Sequence, residues 1–557
     1  MSVLPGTQRA IQLVGPGELV LNESKPVHRP GPYQLLCRVE AAGLCFSDLK
    51  LLKQFSRHVR KGPVVSGIAR RILDEVPSYV PAERPTVPGH EAVVTIAAVG
   101  EALAGFAPGQ RFLVQTDYRW LPTAGANAAF GYNFEGALQQ YVLMDTRVIT
   151  DPTGRSMLLP VGQRLSASAV AMVEPWACVE HAYARAERTG ITAAGQLLIA
   201  AEMEPPKGLT DLFKGSLRPA QTTWLSRFEP PDGLPSPMAR VAELASLPDR
   251  SFDDIIYLGR NRRTVELLLE KLAPGGLLNV VLCGGNLTGT VNLPVGRVHY
   301  EGIRVTGTKG CDPASSMRHV PPNAEIRRGD TICIIGAAGP MGTMHTIRCI
   351  SSGIEGVSVF AADTDRQRLA RLGAIAKPLA DRTGVGFQAY DPNHDAPDDG
   401  FDYIVLMVPR PEMVAAAVEQ ARRGAIINIF AGISTDTVAA VDLNSYIEKR
   451  LYFVGTSGSV VDDMEKLLSR LESGALQTNP CVAAIAGLDG AIDGLKAVED
   501  HSIPGKIIVY PSCRGLPLTP LEHLNQRLPA VADRLENGLW SDAAEDTLLR
   551  LFSNSSA

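Results

Sequence analysis

Cys45, His90 and Glu174 stand in three short motifs whose side chains are metal-binding types. Gly43-Leu44-Cys45-Phe46-Ser47-Asp48 offers a thiolate where a strand-like run meets a helical one. Pro88-Gly89-His90-Glu91 sets an imidazole beside a carboxylate, and Val173-Glu174-Pro175 places a second carboxylate at the start of a helical segment. One thiolate, one imidazole and one or two carboxylates suit Zn²⁺ with an open coordination position, as in catalytic rather than structural sites. Taken singly, each has a plain structural explanation: Cys45 as a small buried residue, His90 as a satisfied turn residue, Glu174 as a helix N-terminal charge. Their joint occurrence carries the expectation of a metal site.

A second group of residues could hold a dinucleotide. The apolar run Thr331-Ile332-Cys333-Ile334-Ile335 leads into Gly336-Ala337-Ala338-Gly339-Pro340-Met341-Gly342 and then a helical segment. Glycines there permit a tight turn and close backbone approach to a pyrophosphate, which the free N–H groups of a helix N-terminus attract. A second strand, Gly356 to Ala362, ends in Asp363, whose carboxylate can accept from ribose hydroxyls and would repel a 2′-phosphate. This favours NAD; Arg366 and Arg368 nearby keep NADP open. Gly336, Gly339, Pro340, Met341, Gly342, Asp363 and Arg368 are the candidate cofactor residues.

Two kinds of framework must position these groups. Up to about residue 150 the chain reads as short β segments punctuated by Gly and Pro, which predicts a compact, mostly antiparallel barrel. After about residue 190, apolar strands alternate with helical stretches, which predicts parallel βα units. There the chain repeats itself. Phe252-Asp253-Asp254-Ile255-Ile256-Tyr257 parallels Phe401-Asp402-Tyr403-Ile404-Val405-Leu406, the run from Gly276 to Gly284 parallels that from Gly424 to Gly432, and Val305-Thr306-Gly307-Thr308 parallels Phe453-Val454-Gly455-Thr456. Three matches in order at a near-constant separation predict a tandem duplication of a nucleotide-binding unit. The first copy lacks the glycines: Gln196-Leu197-Leu198-Ile199-Ala200 runs into Ala201-Glu202-Met203-Glu204, where two carboxylates would oppose a phosphate. It is expected to have lost cofactor binding. Residues 519–552 have helical character, followed by a polar tail expected to fray.

The bulk properties narrow the function classes. At 557 residues the chain exceeds one domain, and 45% hydrophobic with 20% charged residues is ordinary for a globular protein. A net charge of −5 gives no reason to expect nucleic acid or an anionic membrane as partner. No stretch reaches the ~18–20 uninterrupted apolar residues of a membrane helix, and the N-terminus shows no signal-peptide pattern. Nine scattered cysteines without a CxxC pair suggest reduced thiols and a cytoplasmic protein.

Cys-x-Ser-Asp, Gly-His-Glu, Glu-Pro and a following glycine-loop unit, in this order, resemble the zinc-dependent medium-chain alcohol dehydrogenases, sorbitol-dehydrogenase branch. The resemblance covers residues 10–185 and 323–512. Within it, Phe130-Gly131-Tyr132-Asn133-Phe134, Phe430-Ala431-Gly432, Val454 to Gly458 with Asp462-Asp463-Met464, and Ile503-Pro504-Gly505-Lys506 look most like L-sorbose-1-phosphate reductases. It implies an α/β fold: a GroES-like β-barrel catalytic domain over 1–190, an NAD-binding Rossmann domain at 323–455 and a return segment of the catalytic domain at 456–512; the residue pattern adds a degenerate Rossmann-like repeat inserted at 191–322 and a helical extension at 513–557. It implies one Zn²⁺ per chain on Cys45, His90 and Glu174, with Glu91 as a further ligand or the residue that exchanges with water, and Ser47 as the hydroxyl that passes the proton outward. The four-cysteine lobe of a second, structural zinc is missing. The Cys45–His90 interval is long and carries Lys53, Arg57, His58, Arg60, Lys61, Arg70 and Arg71, a basic insertion that could clamp a phosphate or carboxylate.

The implied activity is hydride transfer between NAD(H) and a secondary alcohol or ketone of a polyol or sugar, phosphorylated or not. The alternatives are the same chemistry on another sugar-derived or cyclitol alcohol, and a non-catalytic NAD-binding sensor or scaffold. In relatives the last strand of the cofactor domain lies near a dimer interface where two sheets join. The duplication therefore predicts an internal pseudo-dimer with one continuous sheet, leaving the chain monomeric or assembled through another surface.

Overall fold

The computed structural model describes residues 4–213, 218–395, 397 and 400–554. They form two compact units, Met1–Ala177 with Ser459–Ala557, and Cys178–Gly458. The expected fraying tail at 555–557 lies outside the described residues.

In the first unit, an eight-stranded sheet runs in the order Thr519–Pro520, Val482–Ala486, Lys506–Val509, Gln34–Gly43, Glu91–Val99, Arg111–Val114 and Leu158–Pro160, with Tyr141–Asp145 also paired to Gln34–Gly43. Its pairs are antiparallel except that between Val482–Ala486 and Lys506–Val509. The pairing of Ile508 with Gly43 and Val509 with Ala42 brings a late segment of the chain onto an early one. Gln34–Gly43 is buried along nearly its whole length, which is why it reads as a near-continuous apolar run rather than an alternating one.

The region after residue 513 is largely helical but broken: Thr519–Pro520 adds an edge strand, and the short helical segments Leu521–His523, Leu524–Arg527 and Pro529–Ala532 lead to the longer helix Asp542–Asn554. That helix is anchored by a buried carboxylate. Glu545 accepts from the backbone N–H groups of Ala167 and Ser168 and from the Tyr510 hydroxyl, so it caps the helix Ala167–Ala171 from outside.

The second unit holds the same topology twice. One sheet has parallel strands in the order Met238–Val241, Gln221–Ser226, Gln196–Ala201, Phe252–Leu258, Leu272–Val281, Arg304–Thr308. The other has Gly386–Tyr390, Ser358–Ala362, Thr331–Ile335, Phe401–Leu406, Ala421–Ile429, Tyr452–Val454. In chain order both are 3-2-1-4-5-6, the doubly wound dinucleotide-binding arrangement.

The two copies are joined by a short antiparallel pair, Val291–Leu293 with Ala439–Val441. Val291 faces Val441 and Leu293 faces Ala439, so each strand's first residue meets the other's last, as a local two-fold requires. One apolar core runs through both, with Leu278, Val280 and Val305 of the first copy and Ile427, Ile429 and Phe453 of the second in one cluster. The expected continuous sheet does not form: each hydrogen-bonded order ends at its own sixth strand. The Tyr446 hydroxyl stands between them, donating to the Val305 carbonyl (2.8 Å) and accepting from the Phe453 N–H (3.0 Å). Two edge groups are thus satisfied through a side chain rather than a ladder.

Candidate functional site

The first-unit cluster is built on a strand end, a helix start and the head of a second strand. Cys45 is the N-cap of the helix Phe46–Gln54, and Glu91 opens the strand Glu91–Val99 directly after His90. One ligand atom each from Cys45, His90 and Glu91 lies within 4.8 Å of the others, with Cys45 half-buried and the other two buried. Asp48 holds two of them. One carboxylate oxygen accepts from the Cys45 N–H (3.0 Å), and the other pairs with His90 Nδ1 (3.0 Å). That leaves His90 Nε2 directed to the cluster. Ser47 Oγ lies 3.1 Å from Cys45 Sγ and 3.1 Å from His90 Nε2, so the hydroxyl sits beside both. Thr116 donates to the His90 carbonyl at 2.9 Å.

Glu91 is fully buried. One oxygen pairs with Lys506, itself buried, and the other has no hydrogen-bond partner among the described residues. A Cβ at position 43 would lie 2.1 Å from that second oxygen, so a side chain there would displace the carboxylate from its present place. Burial disfavours the Lys506 ammonium, but Glu91 and Cys45 outweigh it and its pKa stands raised. Burial also opposes charging of His90, yet the Asp48 carboxylate overrides it and its pKa is raised well above the ordinary value. Glu174 falls outside the triad of convergent atoms but within its field. Burial pushes its pKa up to about 7; His90 opposes the rise, while Glu91 and Asp117 add to it.

A thiolate, an imidazole and a carboxylate with an orphaned buried oxygen form a donor set that fits a zinc ion and leaves room for one further oxygen ligand. Sequence reasoning named Cys45, Ser47, His90, Glu91 and Glu174, of which Cys45, His90 and Glu91 converge, and gave no role to Asp48 or Lys506. Asp48 was detectable, since a carboxylate three residues into a helix can reach back to the cap N–H. Lys506 had no local signal, because it meets Glu91 across 415 residues.

Local partners hold most of the basic insertion. The Lys61 ammonium is buried against the Val80 and Arg84 carbonyls, and burial brings its pKa down to about 7. Lys53 pairs with Glu499, and Arg70 with Asp74. Arg60 pairs with Asp117 at 2.6 Å and lies over the Tyr132 ring, whose centroid is 5.8 Å from that of His90. Lys61 thus supports the loop from within, and Arg60 already faces a carboxylate.

In the second unit, Gly336 turns at φ +82° after the strand Thr331–Ile335, and Gly339 caps the helix Pro340–Ile350. A Cβ on Gly342 would lie 2.3 Å from the Gly336 carbonyl, so the turn closes only with glycine there. Pro340 and Met341 occupy the first helical positions, half-buried. Asp363 follows the strand Ser358–Ala362 and accepts from the Ala338 N–H at 3.1 Å, tying the carboxylate to the glycine loop. Arg368 lies on the next helix, with its guanidinium 3.2 Å from Asp365.

The matching place in the first copy is filled. Glu202 accepts from Tyr257 (2.7 Å) and Thr264 (2.6 Å), and the described residues before the next strand form only a 3₁₀ segment, Lys207–Phe213. Among the described residues there is neither a glycine turn nor a regular helix N-terminus to receive a pyrophosphate here.

Residues 31–152 match the family described as alcohol dehydrogenase GroES-like domain. The chain is 29% identical over 235 residues to the L-sorbose 1-phosphate reductase of Klebsiella pneumoniae, covering 40% of this chain and 55% of that protein. It is 31% identical over 101 residues to the sorbitol dehydrogenase of Bos taurus, covering 18% and 22%. The chain spans only 55–58% of the length of three curated relatives it matches, and less of others. In fold it is similar to the crystal structure of 2R,3R-butanediol dehydrogenase from Bacillus subtilis, with a TM-score of 0.52 at 14% identity over 91% of this chain and 100% of that one. The chain thus carries an alcohol dehydrogenase GroES-like domain over residues 31–152 and is similar, at modest identity, to zinc-dependent medium-chain dehydrogenases of the sorbitol-dehydrogenase-like side.

Proposed function

We propose that this chain is an oxidoreductase that moves a hydride between NAD(H) and a secondary alcohol or ketone of a polyol or sugar. The observation that carries the reading is the convergence of Cys45, His90 and Glu91 within 4.8 Å, with one Glu91 oxygen left without a partner. We assign the metal to those three residues, with Glu174 as the nearby carboxylate that exchanges with solvent or substrate oxygen. When bound, zinc supplies Lewis acidity toward the alcohol or carbonyl oxygen.

The chain's own groups do the rest. Asp48 orients His90 and sets its tautomer. Lys506 pairs with Glu91 in a buried place. Ser47, whose Oγ is 3.1 Å from both Cys45 Sγ and His90 Nε2, would pass the hydroxyl proton outward. Asp363 would accept from the adenosine ribose hydroxyls, with the pyrophosphate at the N-terminus of Pro340–Ile350. A ketose phosphate or hexitol phosphate is the substrate class we favour, because the reductase relative is named for one. The Arg60–Asp117 pairing keeps a neutral polyol or cyclitol as the second reading.

We read the first repeat as a permanent stand-in for a second subunit, supported by the two-fold register at Val291–Leu293. Light scattering should then give the mass of one chain, or of an assembly through another surface. Nine free cysteines suit a reducing cytoplasm, and no described helix is long and apolar enough to cross a membrane.

The deciding experiment screens polyols and sugar phosphates for NADH formation, with metal analysis on the same sample. Stoichiometric zinc with turnover supports the proposal. Metal-free protein that still binds NADH without turnover would favour a sensor or scaffold instead.

A further inference from the structure

The first repeat carries chemistry at the same end of its sheet where the second repeat carries its glycine loop. Cys283 and Cys311 lie in the loops that come after its adjacent fifth and sixth strands, Leu272–Val281 and Arg304–Thr308. The ladder continues past the strand ends. Leu282 N–H donates to Thr308 (3.0 Å), and Cys283 N–H donates to the Gly310 carbonyl (3.1 Å). By standard backbone dimensions this last bond holds the α-carbons of residues 283 and 311 within about 7 Å of each other. That separation is at the upper end of the span a disulfide bridges.

The two thiols already interact. Burial, and after it a hydrogen bond with the Cys311 thiol, push the Cys283 thiol up to about 11, while Arg260 opposes the rise. Arg260 is fixed there by bonds to the Leu282 (2.9 Å) and Cys283 (2.6 Å) carbonyls. Cys311 is exposed and Cys283 half-buried, the usual division between a thiol that meets an oxidant and one that resolves it. Cys283 also holds a backbone φ of +44°, a conformation that costs a side-chain-bearing residue free energy. The second repeat has Ala431 at the place of Cys283, so the pair is a property of the copy without the cofactor loop.

We propose that Cys283 and Cys311 form a reversible intrachain disulfide when the protein meets a hydroperoxide. The Cys311 thiolate attacks one peroxide oxygen, the O–O bond breaks, and the departing oxygen takes a proton and leaves as water. The Cys283 sulfur then displaces hydroxide from the Cys311 sulfenic acid, giving up its proton; the S–S bond forms and a second water leaves. Two thiols are oxidised by two electrons and one hydrogen peroxide is reduced to two waters. A dithiol reductant restores the pair by exchange.

The test uses the full chain, treated with a small excess of hydrogen peroxide, then alkylated and mapped by mass spectrometry without reduction. A Cys283–Cys311 cross-linked peptide, the loss of two titratable thiols per chain and their return with dithiothreitol would support the proposal. Cys311→Ser should leave Cys283 alkylatable after the same treatment, and Cys283→Ser should leave Cys311 as a sulfenic acid that a dimedone probe captures. Peptide mapping separates this from oxidation of Cys45, which reports on the proposed metal site instead. Peroxide-treated protein in which both cysteines remain free, or in which Cys311 is overoxidised or joined to another chain without the intrachain link, would overturn it.

Discussion

Replacing Lys506 with methionine isolates the electrostatic core of the candidate site. The lysine and Glu91 side chains are 4% and 0% exposed, so the substitution removes the cation and leaves a carboxylate that water cannot reach. Two unit charges about 3 Å apart interact by roughly 5 kcal/mol at an effective dielectric of ~20. Breaking a buried pair from one side commonly costs about 3–5 kcal/mol, because the surviving charge keeps its desolvation penalty.

We therefore expect metal-free Lys506→Met to lose about 3–5 kcal/mol in the unit that contains it, and to recover part of this when zinc is added. Glu91→Gln combined with Lys506→Met should cost only about 1–2 kcal/mol, since no buried charge is then left alone. The assay is calorimetric unfolding of the chelated wild type, both single variants and the double variant, with the transition of this unit resolved from that of Cys178–Gly458. A coupling energy below about 0.5 kcal/mol would refute the reasoning, because it would mean that each group is solvated independently of the other.

Cys45→Ser or His90→Ala should remove the zinc and nearly all turnover while NADH binding, measured by fluorescence titration, survives; retention of most activity would sink the assignment. Asp363→Ser should let NADP compete with NAD, and Glu202→Gln should leave cofactor affinity unchanged. Two dinucleotides bound per chain at saturation would show that the first repeat still holds a cofactor. His345 is fully buried beside Tyr183 and Phe430, and burial, with Arg348, pushes its pKa down to about 3. An unfolded histidine takes up its proton below about 6.5, so this site's contribution is intact above that pH and is lost as pH falls toward 3. The loss by pH 5 is roughly 2 kcal/mol. His345→Gln should flatten the acid limb of a urea-midpoint profile by about one proton, and an unchanged slope would contradict this.

The glycine loop was legible because its requirements are local. Strand, turn, helix and carboxylate lie within one short stretch, and positive φ at Gly336 or a 2.3 Å approach at Gly342 can be met only by glycine. The duplication was legible for a related reason, since two copies of one fold must repeat their apolar strands in the same order. Cys45, His90 and Glu91 could be named from their chemistry, but nothing in their neighbourhoods announced Lys506, which arrives on a strand 415 residues away. Glu545, placed in a plain helical tail, likewise turned out to cap a helix at Ala167–Ser168.

The docking of the repeats shows the division between sequence and tertiary structure clearly. Matching sixth strands were readable in Arg304–Thr308 and around Phe453, and so was the need to cover their edges. Whether a ladder or a side chain would satisfy those edges was not readable, because it depends on where Tyr446 stands once both copies have packed. Tyr446 bridges Val305 and Phe453 and keeps two sheets where pattern alone suggested one. Periodicity, turn chemistry and ligand type are written along the chain. Buried charge partners and the filling of an edge are set only when distant segments share a core, since desolvation and hydrogen-bond satisfaction are properties of the packed environment.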